Sequence, residues 1–196
     1  AVSHAGLLGA AAAQRDSYEL TAEARVLMVA APTFDASLFE MLMATGAAAA
    51  LVVAPRDVYA GEALVDLMQH HRVSATLLTP TVVASLDRSR LDGLTTLITG
   101  GEACPEELVQ AWAPGRRMFN AYGPSESTIW ATSSPVASQD HGLAYAGDRA
   151  GYGDLVTHLR MLAIARFSLV LDVLSHGLKE RHARVKVRFI SAGQDR

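Results

Sequence analysis

Short apolar runs alternate with segments of helical periodicity through the first two thirds of the chain, and this alternation most constrains its fold. An uninterrupted apolar run such as 25–31 is typical of a strand that is buried on both faces. The segments between such runs repeat their apolar residues every three or four positions, as amphipathic helices do. The sequence therefore predicts an α/β fold, a mostly parallel sheet with flanking helices and right-handed crossovers.

The same pattern predicts the boundaries of the individual elements. We expect strands at residues 25–31, 49–54, 74–78, 94–99 and 117–120. We expect helices at residues 3–18, 37–45, 61–71 and 105–112, and a further helix that begins at Pro80. Proline suits the first turn of a helix, where no N–H donor is needed, and glycine suits the position where a helix ends. Gly46 is therefore predicted to stop the helix over 37–45.

Composition excludes several classes of protein. The 196 residues are 50% hydrophobic and 19% charged, which excludes a disordered or collagen-like chain. The single cysteine, Cys104, excludes a disulfide scaffold and a cysteine-built zinc site, and it fits a reducing compartment. A net charge of -3 gives no sign of a nucleic-acid or membrane partner. No targeting segment is visible and the first residue is Ala1, so we expect a cytoplasmic piece of a longer reading frame.

The chain divides into two parts of different charge. Residues 1–137 carry 8 basic and 14 acidic side chains, whereas residues 138–196 carry 9 basic and 6 acidic ones. In the second part, the hydrophobic pattern predicts one long helix over 154–176 and a strand over 185–189. We therefore expect an α/β part at 1–137, followed by a basic tail of unrelated, α+β-like character.

Two loops that follow predicted strands carry candidate binding residues, at the end of the sheet where open α/β folds bind ligands. Asp35, beside Phe34 and Phe39, is either a helix cap or the partner of a substrate ammonium group. The pair Gly100 and Gly101 permits a tight turn and a close approach of a ligand to the backbone. Ordinary strand–helix turns use glycine pairs as well, so the pair alone does not identify a site.

A third loop, residues 120–127, brings several different chemical groups together. Tyr122 supplies a flat ring that can stack on a base, and Ser125 supplies a hydroxyl that can bond a phosphate. Glu126 supplies a carboxylate, and carboxylate oxygens are ligands that Mg²⁺ prefers. The alternative interpretation, an ordinary polar turn, explains this convergence less well.

The sequences of these three loops resemble the adenylation domains of non-ribosomal peptide synthetases. The matching runs are Phe34-Asp35-Ala36-Ser37 with Glu40, then Gly-Gly-Glu-Ala at 100–103, then Asn-Ala-Tyr-Gly-Pro-Ser-Glu at 120–126. Their order and spacing match, as do connecting segments, and the resemblance extends from about Val2 to Pro135. It implies that the chain is part of the large N-terminal domain of an adenylate-forming ligase, in the AMP-dependent synthetase/ligase family.

The resemblance implies a reaction and its participants. Such domains join an amino acid to AMP from MgATP, release pyrophosphate, and then load the phosphopantetheine thiol of a peptidyl carrier protein in the same or another synthetase module. By this resemblance, Asp35 binds the α-ammonium group of the amino acid. Ser125 lies near the phosphates and Glu126 coordinates Mg²⁺, so these two residues are the predicted catalytic residues. The adenine is surrounded by Gly101, Glu102, Asn120, Tyr122 and Gly123.

The resemblance also implies a pocket for the amino-acid side chain. Its predicted residues are Asp35, Ala36, Phe39, Leu77, Ile98, Gly100, Ala121, Ile129 and Trp130. Because all of these except Asp35 are uncharged and most are apolar, we expect a neutral substrate, with a hydrophobic side chain favoured. Any one of these side chains taken alone would equally suit the core of a sheet.

Two departures from the family pattern leave the present activity open. The phosphate loop of the family would lie upstream of Val2, and no family-like ribose-binding Asp, hinge or catalytic Lys follows Pro135. The two lysines of the chain, Lys179 and Lys186, lie in no matching context. Three interpretations therefore stay open: a ligase whose missing parts come from neighbouring polypeptides, a catalytically inactive fragment that binds nucleotide or amino acid, and a gene remnant.

Overall fold

The computed structural model describes residues 4–136 and 188–191. This part of the chain contains five α-helices, α1 (Leu7–Ser17), α2 (Ala36–Ala47), α3 (Gly61–His70), α4 (Pro80–Ala84) and α5 (Glu106–Trp112). It also contains seven strands, β1 (Arg25–Met28), β2 (Ala50–Val53), β3 (Ala75–Leu78), β4 (Thr96–Gly100), β5 (Arg117–Tyr122), β6 (Thr132–Val136) and β7 (Arg188–Ser191). Short 3₁₀ turns lie at His4–Gly6, Arg88–Arg90 and Ser125–Ser127.

The seven strands form one sheet in the order β6-β5-β4-β3-β1-β2-β7. All neighbouring pairs are parallel except β5 and β6, which are antiparallel. The chain first adds β2 on one side of β1 and then returns to add β3 on the other side. This reversal makes the gap between β1 and β3 a topological switch point, the place where open α/β sheets bind ligands.

Both faces of the sheet are buried, because consecutive strand residues point to opposite sides. Leu27 and Val52 pack into one core with residues of α3, α4 and α5. Val26 and Leu51 pack into the other core with residues of α2 and with Tyr18, which follows α1. The predicted mostly parallel sheet with flanking helices is confirmed.

The observed helix starts follow local sequence signals. Pro80 is the first residue of α4, as predicted, and the Thr79 hydroxyl accepts a hydrogen bond from the Val82 N–H at 3.4 Å. Glu106 and Glu107 lie in the first turn of α5, where the positive end of the helix dipole favours acidic side chains. The sequence therefore predicts the first residues of α4 and α5 to within one residue.

Strand β1 ends at Met28, three residues before the end of the predicted run. The next two backbone N–H groups, those of Val29 and Ala30, donate to the carboxylate of Glu40 rather than to a neighbouring strand. A side chain on α2 therefore ends the strand, and this contact cannot be read from the apolar run itself.

The prediction that Gly46 stops its helix is wrong. Helix α2 continues to Ala47, and Ala48 ends it in the left-handed region at φ 54°. Gly46 instead lies where α1 crosses α2, because a Cβ at this position would be 2.6 Å from the carbonyl oxygen of Ala11. The glycine is needed for the close approach of the two helices.

The tail prediction is only partly covered by the described residues. Strand β7 overlaps the end of the predicted strand over 185–189 and pairs with β2 in parallel. The predicted helix over 154–176 lies outside the described residues, and the boundary after residue 137 stays a prediction. Within the described part, no helix is both long and apolar enough to cross a membrane.

Substituting alanine for Gly46 and for Gly9 separates helix propensity from packing. Alanine is favoured over glycine inside helices by about 0.5–1 kcal/mol, and a Cβ at Gly9 meets nothing within 4 Å. We expect Gly9→Ala to raise the free energy of unfolding by that amount. Gly46→Ala should lower it by about 1–3 kcal/mol, because the new methyl group collides with α1. Urea denaturation measures both, and equal stabilisation by the two variants would contradict the close crossing.

Candidate active site

A cavity of about 500 Å³ opens at the carboxyl ends of β1, β3, β4 and β5. Its walls come from residues 29–30 after β1, 77–79 at the end of β3, 100–101 at the end of β4 and 121–123 at the end of β5. The first turn of α2 closes another side. The cavity thus occupies the switch point between β1 and β3, and its volume suits a small molecule.

Eight of the nine predicted pocket residues line this cavity, namely Asp35, Ala36, Phe39, Leu77, Gly100, Ala121, Ile129 and Trp130. The ninth, Ile98, is fully buried and does not line it. Ile98 lies two residues before Gly100 on β4, so both point to the same face, and it packs in the core beneath the cavity with Phe39 and Trp130. The three loops that were far apart in sequence therefore converge on one space.

Asp35 occupies the position before α2, but its carboxylate does not cap the helix. Ser37 turns its own hydroxyl back to the Phe34 carbonyl oxygen at 2.8 Å, which stabilises the turn without Asp35. Among residues 4–136 and 188–191, no hydrogen bond or ion pair engages the Asp35 carboxylate. A half-buried carboxylate in an apolar wall is therefore available to a cationic ligand group.

Aromatic rings form the base of the cavity. Phe39 and Trp130 meet edge to face with their ring centroids 5.9 Å apart. Behind them, Tyr18 contacts both rings at 6.1 and 6.2 Å and packs against Phe119 at 4.9 Å. The Tyr18 hydroxyl donates to Ser133 Oγ at 3.1 Å, and burial raises the pKa of Tyr18 to about 12. This arrangement fixes the depth of the cavity.

Unusual backbone conformations and a close approach of two backbone segments also occur around this space. Gly101 has a φ of 82°, which side-chain-bearing residues rarely adopt. A Cβ at Gly123 would lie 2.3 Å from the Cα of Trp130, so only glycine fits there. Thr128 and Ile129 have φ values of 65° and 79°, a costly conformation for β-branched residues. The loop between β5 and β6 is thereby folded back over the cavity.

The predicted nucleotide-binding residues divide into two groups. Gly101, Tyr122 and Gly123 line the cavity. Glu102 and Asn120 do not. Glu102 accepts hydrogen bonds from the Thr81 N–H and hydroxyl at 3.0 and 2.6 Å, and these bonds lower the pKa of Glu102.

Asn120 is buried in β5, and its side-chain oxygen lies 3.5 Å from the Thr99 hydroxyl. Ser125 is exposed in the 3₁₀ turn after β5, while the side chain of Glu126 lies outside the described part of the structure. No group of three His, Cys, Asp or Glu side chains among the described residues could hold a metal ion. The roles of Ser125 and Glu126, including Mg²⁺ coordination, stay predictions.

Glu40 also lines the cavity, although the sequence pattern gave it no role. It is 0% exposed, and its carboxylate accepts hydrogen bonds from the N–H groups of Val29 and Ala30 at 3.2–3.3 Å. Burial raises the pKa of Glu40 to about 8, against the opposing effect of the two backbone hydrogen bonds. The available signal was that Glu40 is the one ionisable residue within the apolar segment 36–47. Tyr59 and Thr79 are further lining residues that sequence reasoning missed.

The fold and the cavity define an α/β protein with a cavity of small-molecule size at the switch point of its sheet. The family model described as AMP-binding enzyme matches residues 1–156, and the chain belongs to that family. The match extends beyond residue 137, where the sequence predicted the end of the α/β part.

Relatives of the chain include a probable nonribosomal peptide synthetase and a protein of novobiocin biosynthesis. The probable non-canonical nonribosomal peptide synthetase CymA of Salinispora arenicola is 48% identical over 146 residues, which are 74% of this chain and 2% of CymA. Novobiocin biosynthesis protein H of Streptomyces niveus is 43% identical over 71% of this chain and 24% of its own length. The chain therefore spans a quarter or less of the length of these relatives.

Solved structures agree with these relatives. The Vibrio cholerae adenylation domain AlmE, in complex with glycyl-adenosine-5'-phosphate, superposes on this chain with a TM-score of 0.62 at 25% identity. The superposed region is 69% of this chain and 27% of the AlmE chain. The nonribosomal peptide synthetase FmoA3, in a form with bound alpha-methyl-L-serine-AMP, gives a TM-score of 0.64 at 25% identity, over 71% and 17% of the two chains. The predicted resemblance to adenylation domains of non-ribosomal peptide synthetases is confirmed.

Glu40 should make the stability of the protein depend on pH. An exposed carboxyl in the unfolded chain titrates near pH 4.3, whereas that of Glu40 in the native state titrates at about 8. Between these values the native state holds a proton that the unfolded state has lost, so the free energy of unfolding falls as pH rises. The contribution is at most about 1.4 kcal/mol per pH unit.

Glu40→Gln should remove this contribution, because the amide does not titrate. Urea denaturation at pH 5, 6, 7 and 8 gives the slope for the parent and the variant. Glu107→Gln, at an exposed position of α5, is the matched control and should keep the slope of the parent. Parallel pH profiles for the parent and Glu40→Gln would contradict a raised pKa.

Proposed function

We propose that the chain is part of an enzyme that activates an amino acid as its adenylate. In this reaction, a carboxylate oxygen of the amino acid attacks the α-phosphorus of ATP, and the bond from that phosphorus to pyrophosphate breaks. The observation that carries the proposal is the Asp35 carboxylate, which has no partner within the described residues, in the wall of an apolar cavity at the switch point. The bound molecules named for AlmE and FmoA3 are aminoacyl adenylates, the product of this reaction.

The residues around the cavity suit the parts of such an adenylate. The Asp35 carboxylate would accept the α-ammonium group through a charge-assisted hydrogen bond. Gly100, Gly101 and Gly123 carry no side chains, so a nucleotide could approach the backbone closely, and the Tyr122 ring would lie beside the adenine. Ser125 would bond a phosphate. Glu126 would hold Mg²⁺, which neutralises phosphate charge when bound.

The substrate that we propose is an amino acid with a neutral, hydrophobic side chain. Apart from Asp35, the one carboxylate that lines the cavity is that of Glu40, and its oxygens are already engaged by backbone N–H groups. The remaining surface is mostly apolar, and the edge-to-face pair of Phe39 and Trp130 limits its depth. An unpaired charge on a substrate side chain would lose its hydration here without a compensating partner.

The partners follow from the relatives. Because CymA is described as a probable nonribosomal peptide synthetase, we propose that the adenylate passes to the phosphopantetheine thiol of a peptidyl carrier protein, within secondary metabolism in the cytoplasm. The solved protein PA1221 is described as containing adenylation and carrier-protein domains. The chain covers a small part of its relatives, so further segments would supply the rest of the reaction.

Amino-acid-dependent exchange of pyrophosphate into ATP tests the activity, with the purified chain, Mg²⁺ and a panel of neutral amino acids. Asp35→Asn keeps the shape of the side chain and removes its charge, and a hydrogen bond to a charged group contributes about 1.5–3 kcal/mol. We expect the exchange rate at subsaturating amino acid to fall about 10- to 100-fold. Asp57→Asn, an exposed aspartate after β2, is the matched control and should leave the rate unchanged.

Each outcome of the exchange assay distinguishes the open interpretations. Equal rates for the parent and Asp35→Asn would contradict the role of Asp35. Absence of exchange, together with ligand-dependent thermal stabilisation, would leave an inactive binding fragment. Absence of both from a folded chain would indicate a gene remnant.

A further inference from the structure

Glu40 joins two walls of the cavity. It lies on α2 directly after Phe39, so it belongs to the helix that carries two of the predicted pocket residues and that directly follows a third, Asp35. Its carboxylate reaches across to the segment that leaves β1. That segment, Val29 and Ala30, also lines the cavity.

The contact is made by both carboxylate oxygens. Oε1 accepts from the N–H groups of Val29 and Ala30 at 3.2 and 3.3 Å, and Oε2 accepts from the Ala30 N–H at 3.2 Å. These two donors follow the last ladder residue of β1, so the sheet does not pair them. Without Glu40, two partly buried backbone donors would lose their partner, which is unfavourable for each group.

A carboxyl group is an expensive choice for this position if stability alone were at stake. Glu40 is fully buried, and burial opposes its ionisation, so its pKa is raised to about 8 and the group is mostly protonated at neutral pH. The other ionisable groups that line the cavity are Asp35, Tyr59 and Tyr122, none of them a cation that would compensate its charge. An apolar side chain of the same length would avoid this cost, but it could not hold the segment after β1.

We propose that Glu40 is a positioning residue for the amino-acid site, which holds the segment after β1 at a fixed distance from Asp35 on α2. The proposal rests on the adenylation function proposed above. In this role Glu40 acts through the backbone of Val29 and Ala30 and not on the reacting atoms. It sets the width of the cavity between the wall at Val29 and Ala30 and the carboxylate that would bind the α-ammonium group.

Trp130 provides a direct readout of the cavity. The chain has two tryptophans, and Trp112 belongs to the core on the opposite face of the sheet. In a Trp112→Phe background, Trp130 is the single fluorophore of this kind, and it lines the cavity. Its emission and its quenching by acrylamide report the geometry of the empty site. Titration with leucyl sulfamoyl adenosine, a non-hydrolysable mimic of an aminoacyl adenylate, gives the Kd.

Three substitutions separate the reach of the Glu40 side chain from its ability to ionise. Glu40→Gln keeps an oxygen at the position of Oε1, which accepts from both N–H groups, so we expect a Kd within about threefold of the parent. Glu40→Met removes the acceptor at similar length, and Glu40→Asp keeps the carboxyl group but withdraws it by one methylene. Both should raise the Kd at least about tenfold, the effect of losing two hydrogen bonds, and both should change the quenching of Trp130. Glu107→Met, on the exposed side of α5, is the control for folding.

The outcomes separate this inference from the proposed function. A Kd within threefold of the parent for Glu40→Met or Glu40→Asp, with unchanged quenching of Trp130, would overturn the positioning role and leave the proposed function intact. If Glu40→Met fails to fold, Glu40→Asp and Glu40→Gln decide, because weak binding by the Gln variant with normal binding by the Asp variant would show that an ionisable carboxyl rather than its reach matters, and would overturn the positioning role. If the parent binds neither leucyl nor other neutral aminoacyl mimics, the proposed function fails and this inference falls with it.

Discussion

The site depends on the burial of both faces of the parallel strands. Because side chains of β1 to β5 fill a core on each face, the strands can meet a ligand only at their ends. Parallel pairing brings all their carboxyl ends to one edge, and the reversal between β2 and β3 opens a gap there. Asp35, the glycine pair after β4 and the loop after β5 are far apart in sequence. They meet because each of them follows a strand.

Much of this architecture was readable from the sequence, because the signals were local. Apolar runs predicted the five parallel strands β1 to β5. Pro80 predicted the start of α4, and the acidic pair Glu106 and Glu107 indicated the start of α5. The errors arose where a distant contact overrode the local signal. Gly46 has the usual identity of a helix stop, but the crossing of α1 over α2 requires it inside the helix. The apolar run of β1 continues beyond Met28, but Glu40 takes the next two N–H donors.

The candidate site was predictable for a different reason. No periodicity distinguishes a pocket residue from a core residue, and the resemblance to adenylation domains supplied that distinction. Eight of the nine predicted pocket residues line the cavity. Among the residues that were missed, Glu40 acts through hydrogen bonds from the N–H groups of Val29 and Ala30, which follow a different element, β1. Such pairs become visible only once the strands are assembled.

Several unusual features of the described structure lie around the cavity, and they have a physical meaning there. Glu40 is a buried carboxyl, Thr128 and Ile129 adopt a conformation disfavoured for β-branched residues, and Gly123 packs directly on the Trp130 backbone. The first two are unfavourable in isolation and persist because the surrounding packing enforces them, whereas the glycine allows two stretches of backbone to approach closely. A binding site needs fixed walls and unobstructed backbone, and this requirement gives a physical reason for all three features at the edge of this cavity.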